Sequence, residues 1–385
     1  MKKFWKLAAM AAAASLIVAA CGGSESDTKG DLKVAVVYIG PKEDKGWTYQ
    51  HDQGILKLEE ELGIEVKRVE SIADNEASEA TFEQLAEEGY DLIFATSFGY
   101  GKPLSRVAAK NPGVCFQWAT GAGFLLTKAQ GGTFEDVASV PANIGYYFGA
   151  AEEARYLSGI AAGKATKNGK IGYVAAYSIP EVIRGINAFT LGVRSVKPEA
   201  TVQVTWTRTW FDPTLEKQAA ESLLDKGVDV LAMHQDTTAT GVAAQAKGAK
   251  WVGYNSDVSE AAPEAWLTAP TWDWGPFYVK TAKAVQAAKA ADPDSCPTSE
   301  STYGNMGDGM VTLGSFGKSV DAETKELITQ KKDAIIAGTF APFTGPINKQ
   351  DGSEWLKAGE KADLGFLLGD MTFFVEGVIG SDKDE

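Results

Sequence analysis

Apolar and polar positions alternate along this chain in two rhythms. Short apolar, β-branched runs predict strands, and longer stretches with apolar residues three and four apart predict helices. Strands are predicted over Leu32–Ile39, Glu65–Ser71, Leu92–Thr96 and Val114–Trp118. Between them, Gln53–Leu62 sets Ile55, Leu58 and Leu62 on one helical face, and Ser78–Glu88 does the same with Ala80, Phe82, Leu85 and Ala86. The alternation restarts with strand Lys170–Ala175, helix Glu181–Val196, strand Thr201–Thr207, helix Pro213–Lys226, strand Val228–Met233, helix Thr238–Lys247 and strand Trp251–Tyr254. Two βαβ series predict an α/β protein of two doubly wound parallel-sheet lobes. Beyond Asp257 come helix Pro276–Ala290, strand Gly309–Leu313 and helix Asp321–Ala337, segments shared between the lobes. Lobe 1 is expected to comprise 32–145 plus 258–305, and lobe 2 146–257 plus 306–385, joined by a hinge. The Gly/Pro/Asp-rich tail from Gly338 reads as surface decoration. Ligands of such sheets bind beyond the carboxyl ends of the strands, which in a two-lobed chain is the cleft between the lobes.

The first residues follow a different pattern. Lys2, Lys3 and Lys6 precede an apolar run from Leu7 to Ala20, interrupted by Ser15. At about 14 residues it is too short to span a bilayer as a helix, so residues 1–20 read as a signal peptide. Val18-Ala19-Ala20-Cys21 resembles a bacterial lipobox, which predicts lipidation of Cys21, and residues 21–31 are a Gly/Ser/acid-rich tether. The chain is therefore expected in the cell envelope, lipid-anchored and facing away from the cytoplasm. A formal charge of −14, from 51 acidic and 37 basic residues, argues against nucleic acid or anionic lipid as partner. Beyond Cys21 only Cys115 and Cys296 remain, and in an oxidising envelope they could pair or stay apart.

Metal and catalytic chemistry find little support. His51 and His234 have no second ligand at metal spacing, so neither a metal nor a cofactor is expected. Gly317-Lys318-Ser319 ends like a P-loop, but Thr312 stands where its first Gly belongs. Ala95-Thr96-Ser97-Phe98-Gly99 resembles a nucleophile elbow, yet a base at His234 with Asp236 or Asp257 behind it inverts the order of that fold. No catalytic residue is assigned.

Strand ends carry aromatics and hydrogen-bonding groups together instead: Trp47 and Thr48, Phe98 and Tyr100, Tyr177 and Glu181, Trp210, Asp236, Asn255 and Asp257, and Trp272. Flat rings with carboxylates or amides at their edges suit a flat heteroaromatic ligand, although part of any aromatic set packs structurally. Trp206, in mid-strand, is such a case.

Five phrases stand out: Asp44-Lys45-Gly46-Trp47-Thr48, Gly145-Tyr146-Tyr147-Phe148-Gly149 through Arg155-Tyr156-Leu157-Ser158-Gly159, Lys170-Ile171-Gly172-Tyr173-Val174, Ile179–Phe189, and Val252-Gly253-Tyr254-Asn255-Ser256-Asp257. Together they resemble the basic membrane protein family of substrate-binding lipoproteins of ABC transporters, the purine nucleoside receptor A-like proteins. The resemblance implies a type I periplasmic-binding fold, two lobes joined by three crossovers and closing on a purine ligand. It also implies ABC permease and ATPase subunits as partners, and a monomer that is not an enzyme. By that alignment Trp47 and Thr48 take the base-stacking and base-bonding positions. Asn255 and Trp272 stand where nucleoside-binding members keep an Asp and a Lys for the ribose. This departure predicts a free purine base such as adenine. A nucleoside is the alternative, with Asp257 as its ribose partner; a role in sensing for a signalling receptor is another.

Overall fold

A computed structural model describes residues 32–122, 125, 140–297 and 301–383. The expected signal peptide, Cys21 and the tether lie outside the described residues.

The first sheet contains β1 (Val34–Val37), β2 (Val66–Val69), β3 (Leu92–Ala95), β4 (Cys115–Ala119), β5 (Ile144–Gly149) and β12 (Ser301–Gly304), in the order β12-β5-β4-β3-β1-β2. The second contains β6 (Lys170–Ala175), β7 (Thr201–Trp206), β8 (Val230–His234), β9 (Lys250–Val252), β10 (Trp266–Thr268) and β16 (Val378–Ile379), in the order β10-β9-β8-β6-β7-β16. Every pairing within the two sheets is parallel. Parallel strands covered on both faces must be apolar throughout, which is why the central β1 reads Val-Ala-Val-Val and is fully buried. Its side chains alternate: Val34 and Val36 join the core that holds Ile55 and Leu58, while Ala35 and Val37 join the one with Phe82, Leu85 and Leu104.

Helices α1 (Trp47–Leu62), α2 (Glu79–Glu87) and α3 (Gly101–Lys110) belong to the first sheet. The second has α4 (Ala151–Ala165), α5 (Pro180–Val196), α6 (Pro213–Asp225) and α7 (Ala239–Ala246). Helices α4 and α5 approach closely because Gly159 and Gly192 face each other's partner. A Cβ on Gly159 would lie 2.1 Å from the Phe189 carbonyl oxygen, and one on Gly192 2.0 Å from that of Tyr156.

The chain passes between the sheets three times. It leaves β5 for α4, returns through β11 (Pro270–Trp272) to α8 (Gly275–Ala291) beside α1, and leaves β12 through β13 (Val311–Leu313) for α9 (Ala322–Ile336) beside α4. Strands β11 and β13 pair antiparallel, so two crossovers form one hinge ribbon. Sheet membership shifts the expected boundaries: β5 keeps residues up to Gly149 in lobe 1, and β10 keeps the chain up to Thr268 in lobe 2.

The tail is not decoration. It forms the hairpin β14 (Ile347–Asn348)–β15 (Glu354–Leu356) and helix α10 (Leu364–Gly369), and β16 extends the second sheet beside β7. Phe343, Leu367, Met371, Phe374 and Val375 are buried, and Asn187 of α5 bonds both the Phe373 carbonyl and the Val375 N–H. Spaced among Gly and Asp, these apolar residues show neither period. Cys115 and Cys296 are joined in a disulfide, with Cα atoms 5.4 Å apart. Among the described residues no helix is long and apolar enough to cross a membrane.

Candidate ligand-binding site

A cavity lies where the strand ends of both lobes meet. From lobe 1 come Ile39, Trp47, Ser97, Phe98 and Thr120; from lobe 2 come Glu181, Trp210, His234, Asp236 and Tyr254. Each follows, ends or caps a parallel strand, so topology alone gathers ten residues spread over more than half the chain.

Trp47 is placed by the start of α1. Asp44 accepts the backbone N–H groups of Gly46, Thr48 and Tyr49 at 2.7, 2.9 and 2.8 Å, satisfying donors the first turn leaves free. Burial pushes the Asp44 carboxyl up to about 6, against the pull of those bonds. Gly46 is required because a Cβ there would lie 2.2 Å from the Asp236 carbonyl oxygen of the opposite lobe. The Trp47 indole N–H donates to the Thr96 carbonyl at 2.6 Å, and its ring meets His51, Trp272 and Trp274 edge-on.

Across the cavity, Glu181 Oε1 lies 3.3 Å from His234 Nε2. Burial raises the Glu181 carboxyl to about 7, although Arg184 and Arg155 oppose the rise. Burial lowers His234, helped by the same two guanidiniums, so the ring is neutral. Arg155 stacks 3.6 Å over the Tyr254 ring and donates to the Met233 carbonyl at 2.8 Å. Burial, then the charges of Asp44 and Glu216, raise Asp236 well above the usual carboxylate range. A relay reaches Asp236 from the hinge: Trp272 Nε1–H donates to Asn255 Oδ1 at 3.0 Å, and Asn255 Nδ2–H to Asp236 Oδ1 at 3.1 Å.

The lobes touch across the mouth. Trp210 donates its indole N–H to Asp74 Oδ2 at 2.9 Å, and the Ser256 hydroxyl donates to the Lys45 carbonyl. The cleft is closed.

Of the residues singled out from sequence, Trp47, Phe98, Glu181, Trp210 and Asp236 line the cavity. The other six stand off the wall. Thr48 is buried beneath it, and a Cβ on Gly40 would lie 3.2 Å from its hydroxyl. Tyr100 turns into the lobe 1 core, donating to the Ile72 carbonyl at 2.6 Å. Tyr177 backs Trp210, rings 5.1 Å apart. Asn255 and Trp272 form the relay just described, with Trp272 stacked on Trp274 in the hinge. Asp257 is exposed and accepts the N–H groups of Ser315 and Ser259, so the ribose role expected of it in the nucleoside alternative does not fit its direction. Ile39, Ser97, Thr120, His234 and Tyr254 had not been assigned as ligand contacts. Ser97 and His234, the serine and base of the elbow resemblance, both line the cavity, where His234 Nε2 faces Glu181. Position at, or within two residues of, the end of a parallel strand is the signal all five share.

Two parallel α/β lobes, a three-pass hinge and a closed cavity at the strand ends define the type I periplasmic-binding architecture of solute-binding proteins. More narrowly, residues 31–342 match the family model described as ABC transporter substrate-binding protein PnrA-like, and the chain belongs to that family. The family comprises extracytoplasmic substrate-binding components of ABC transporters. The chain is 41% identical over 358 residues to a purine-binding protein of Brucella abortus, covering 92% of this chain and 95% of that one. It is 36% identical over 360 residues to a candidate ABC transporter glucose-binding protein of Haloferax volcanii, covering 93% and 82%. A nucleoside-binding protein of Lactococcus lactis is 25% identical over 269 residues, 68% of this chain and 71% of that one. A solute-binding protein of an Aeropyrum pernix ABC transporter superposes with a TM-score of 0.64 at 20% identity, covering 83% and 93%, which speaks for the fold.

Proposed function

We propose that this chain is the binding protein of an ABC importer, anchored to the membrane by a lipid on Cys21, which captures a free purine base of the adenine type and passes it to a permease. It acts as a monomer without metal or cofactor and returns its ligand chemically unchanged. The observation that carries the reading is the cavity itself, with the rings of Trp47, Phe98 and Trp210 among its walls and Glu181, His234 and Asp236 at its edge. Rings hold a flat heteroaromatic by its faces, and hydrogen-bonding groups read its rim. A carboxyl pushed toward its neutral form offers one donor and one acceptor, the complement of the amino N–H and ring nitrogen along an adenine edge. The positions aligned with a ribose clamp hold Asn255 and Trp272, which bond to each other and not to the cavity. The purine-binding name of the Brucella relative supports the same class.

A nucleoside is the second reading, favoured by the Lactococcus relative's name, and glucose a third, favoured by the Haloferax one. Calorimetric titration of ligand-free protein with adenine, guanine, hypoxanthine, adenosine, guanosine and glucose separates them. Tighter binding of either nucleoside or of glucose than of every base would overturn the proposal. Neighbouring permease and ATPase genes would support import, and a neighbouring receptor kinase would favour sensing.

A further inference from the structure

We propose that Asp74, which stands outside the cavity wall, is a positioning residue that sets how long the cleft stays shut on its ligand. The inference rests on the cleft being the ligand site. Asp74 lies on the lobe 1 loop between β2 and α2, and its Oδ2 accepts the indole N–H of Trp210 from lobe 2 at 2.9 Å. Trp210 is itself a wall of the cavity, and its carbonyl accepts the N–H of Asp236, a second wall residue, at 3.1 Å. One hydrogen bond thus bridges the lobes directly on a ring that faces the ligand. The Ser256–Lys45 bond also crosses the mouth, but neither of its residues lines the cavity.

The Asp74 loop is fixed to its own lobe. Two residues before it, Ile72 accepts the Tyr100 hydroxyl at 2.6 Å and donates its N–H to the Tyr38 carbonyl at 3.0 Å, and a Cβ on Gly99 would lie 2.6 Å from the Asp74 carbonyl oxygen. The bond to Trp210 therefore joins two rigid bodies and exists only when they are together. A contact present in the closed state alone stabilises that state against the open one. Ligand enters the open cleft and leaves by reopening it, so losing the contact speeds release and leaves capture nearly unchanged.

The test is stopped-flow binding of adenine to wild type, Asp74→Ala, Asp74→Asn, Trp210→Phe and the Asp74→Ala/Trp210→Phe double variant. Asp74→Ala should raise koff about tenfold or more, the scale of a hydrogen bond involving a charged group, with kon within about threefold. Asp74→Asn keeps an acceptor oxygen and should recover part of the loss. Trp210→Phe keeps a ring and loses the N–H, so adding Asp74→Ala to it should change nothing further. Equal koff in wild type and Asp74→Ala, or the same multiplicative effect of Asp74→Ala in both backgrounds, would overturn the inference. If wild type binds no purine, the ligand reading falls by itself. The latch is then decided by interlobe distances between spin labels on exposed faces of α2 and α6. Asp74→Ala and Trp210→Phe should lengthen them alike, and unchanged distances would overturn it.

Discussion

Trp47→Ala tests the ligand-facing surface at its most specific point. The indole is 6% exposed, donates to the Thr96 carbonyl, and meets Trp272 and Trp274 edge-on, so the substitution acts on two quantities at once. Stacking of an aromatic on a base contributes about 1–3 kcal/mol, which corresponds to affinity weakened between about 5-fold and about 140-fold. Removing a buried Trp costs about 3–5 kcal/mol of stability through lost contacts and a residual cavity. The two effects are separated by titrating adenine calorimetrically well below the variant's melting temperature, after unfolding and refolding the protein to strip co-purified ligand. Phe98→Ala provides the control, because Phe98 also lines the cavity but is only half-buried. It should lose comparable affinity with a smaller drop in melting temperature. A folded Trp47→Ala protein with wild-type affinity would refute the stacking role and leave Trp47 as packing beneath the hinge.

Cys21→Ser should abolish partition of the protein into detergent, and a variant that still partitions would place the anchor elsewhere. Small-angle scattering should show a smaller radius of gyration with ligand than without, since the hinge ribbon lets two rigid lobes close; identical curves for verified free and bound protein would contradict this. Glu181 titrates near 7 in the folded chain against 4.5 for a free carboxyl, so the folded state holds the extra proton. Its stabilisation is complete below about pH 4.5 and is lost as pH rises through about 7, so the wild-type melting temperature should fall relative to Glu181→Gln over that window. Parallel curves would mean that Glu181 is ionised in the fold. Cys296→Ser should lower the melting temperature, because the disulfide ties residues 181 apart, and links of this kind contribute about 2–5 kcal/mol.

The lobes were legible because buried parallel strands have no choice but to be continuously apolar: β1, β3 and β6 fall within the predicted segments, and β8 runs one residue past its own. Two things were not. Helix α1 starts at Trp47, six residues before its apolar period becomes visible, because Asp44 and the close approach at Gly46 set its start. The tail escaped because its buried apolar residues follow neither period and it is also held by isolated polar contacts, such as Arg184 to the Leu367 carbonyl and the Trp206 indole to the Ser381 carbonyl. Such contacts leave no periodic trace. The cavity walls were half legible, since rings and carboxyls at strand ends announce themselves while Ile39, Thr120 and Tyr254 do not.

Asn255 and Trp272 bond to each other behind the cavity wall. By the resemblance both stand where a ribose would be held, and an Asp at 255 could serve a sugar hydroxyl as acceptor. Here the Asn255 amide is spent on both sides, accepting from Trp272 and donating to Asp236. An amide can do both at once, whereas a carboxylate could only accept, and it would bring a second buried carboxyl against Asp236. Asn at 255 is therefore matched to Asp236, and Asp236 is the group left facing the cavity. Trp272 fixes which way the amide points, because its indole N–H can only donate and so selects Oδ1. On the proposed purine-base reading, discrimination against a sugar rests on two linked residues behind the wall: the Asn255 acceptor is taken by Trp272, and Trp272 turns the Asn255 N–H toward Asp236 at the cavity edge.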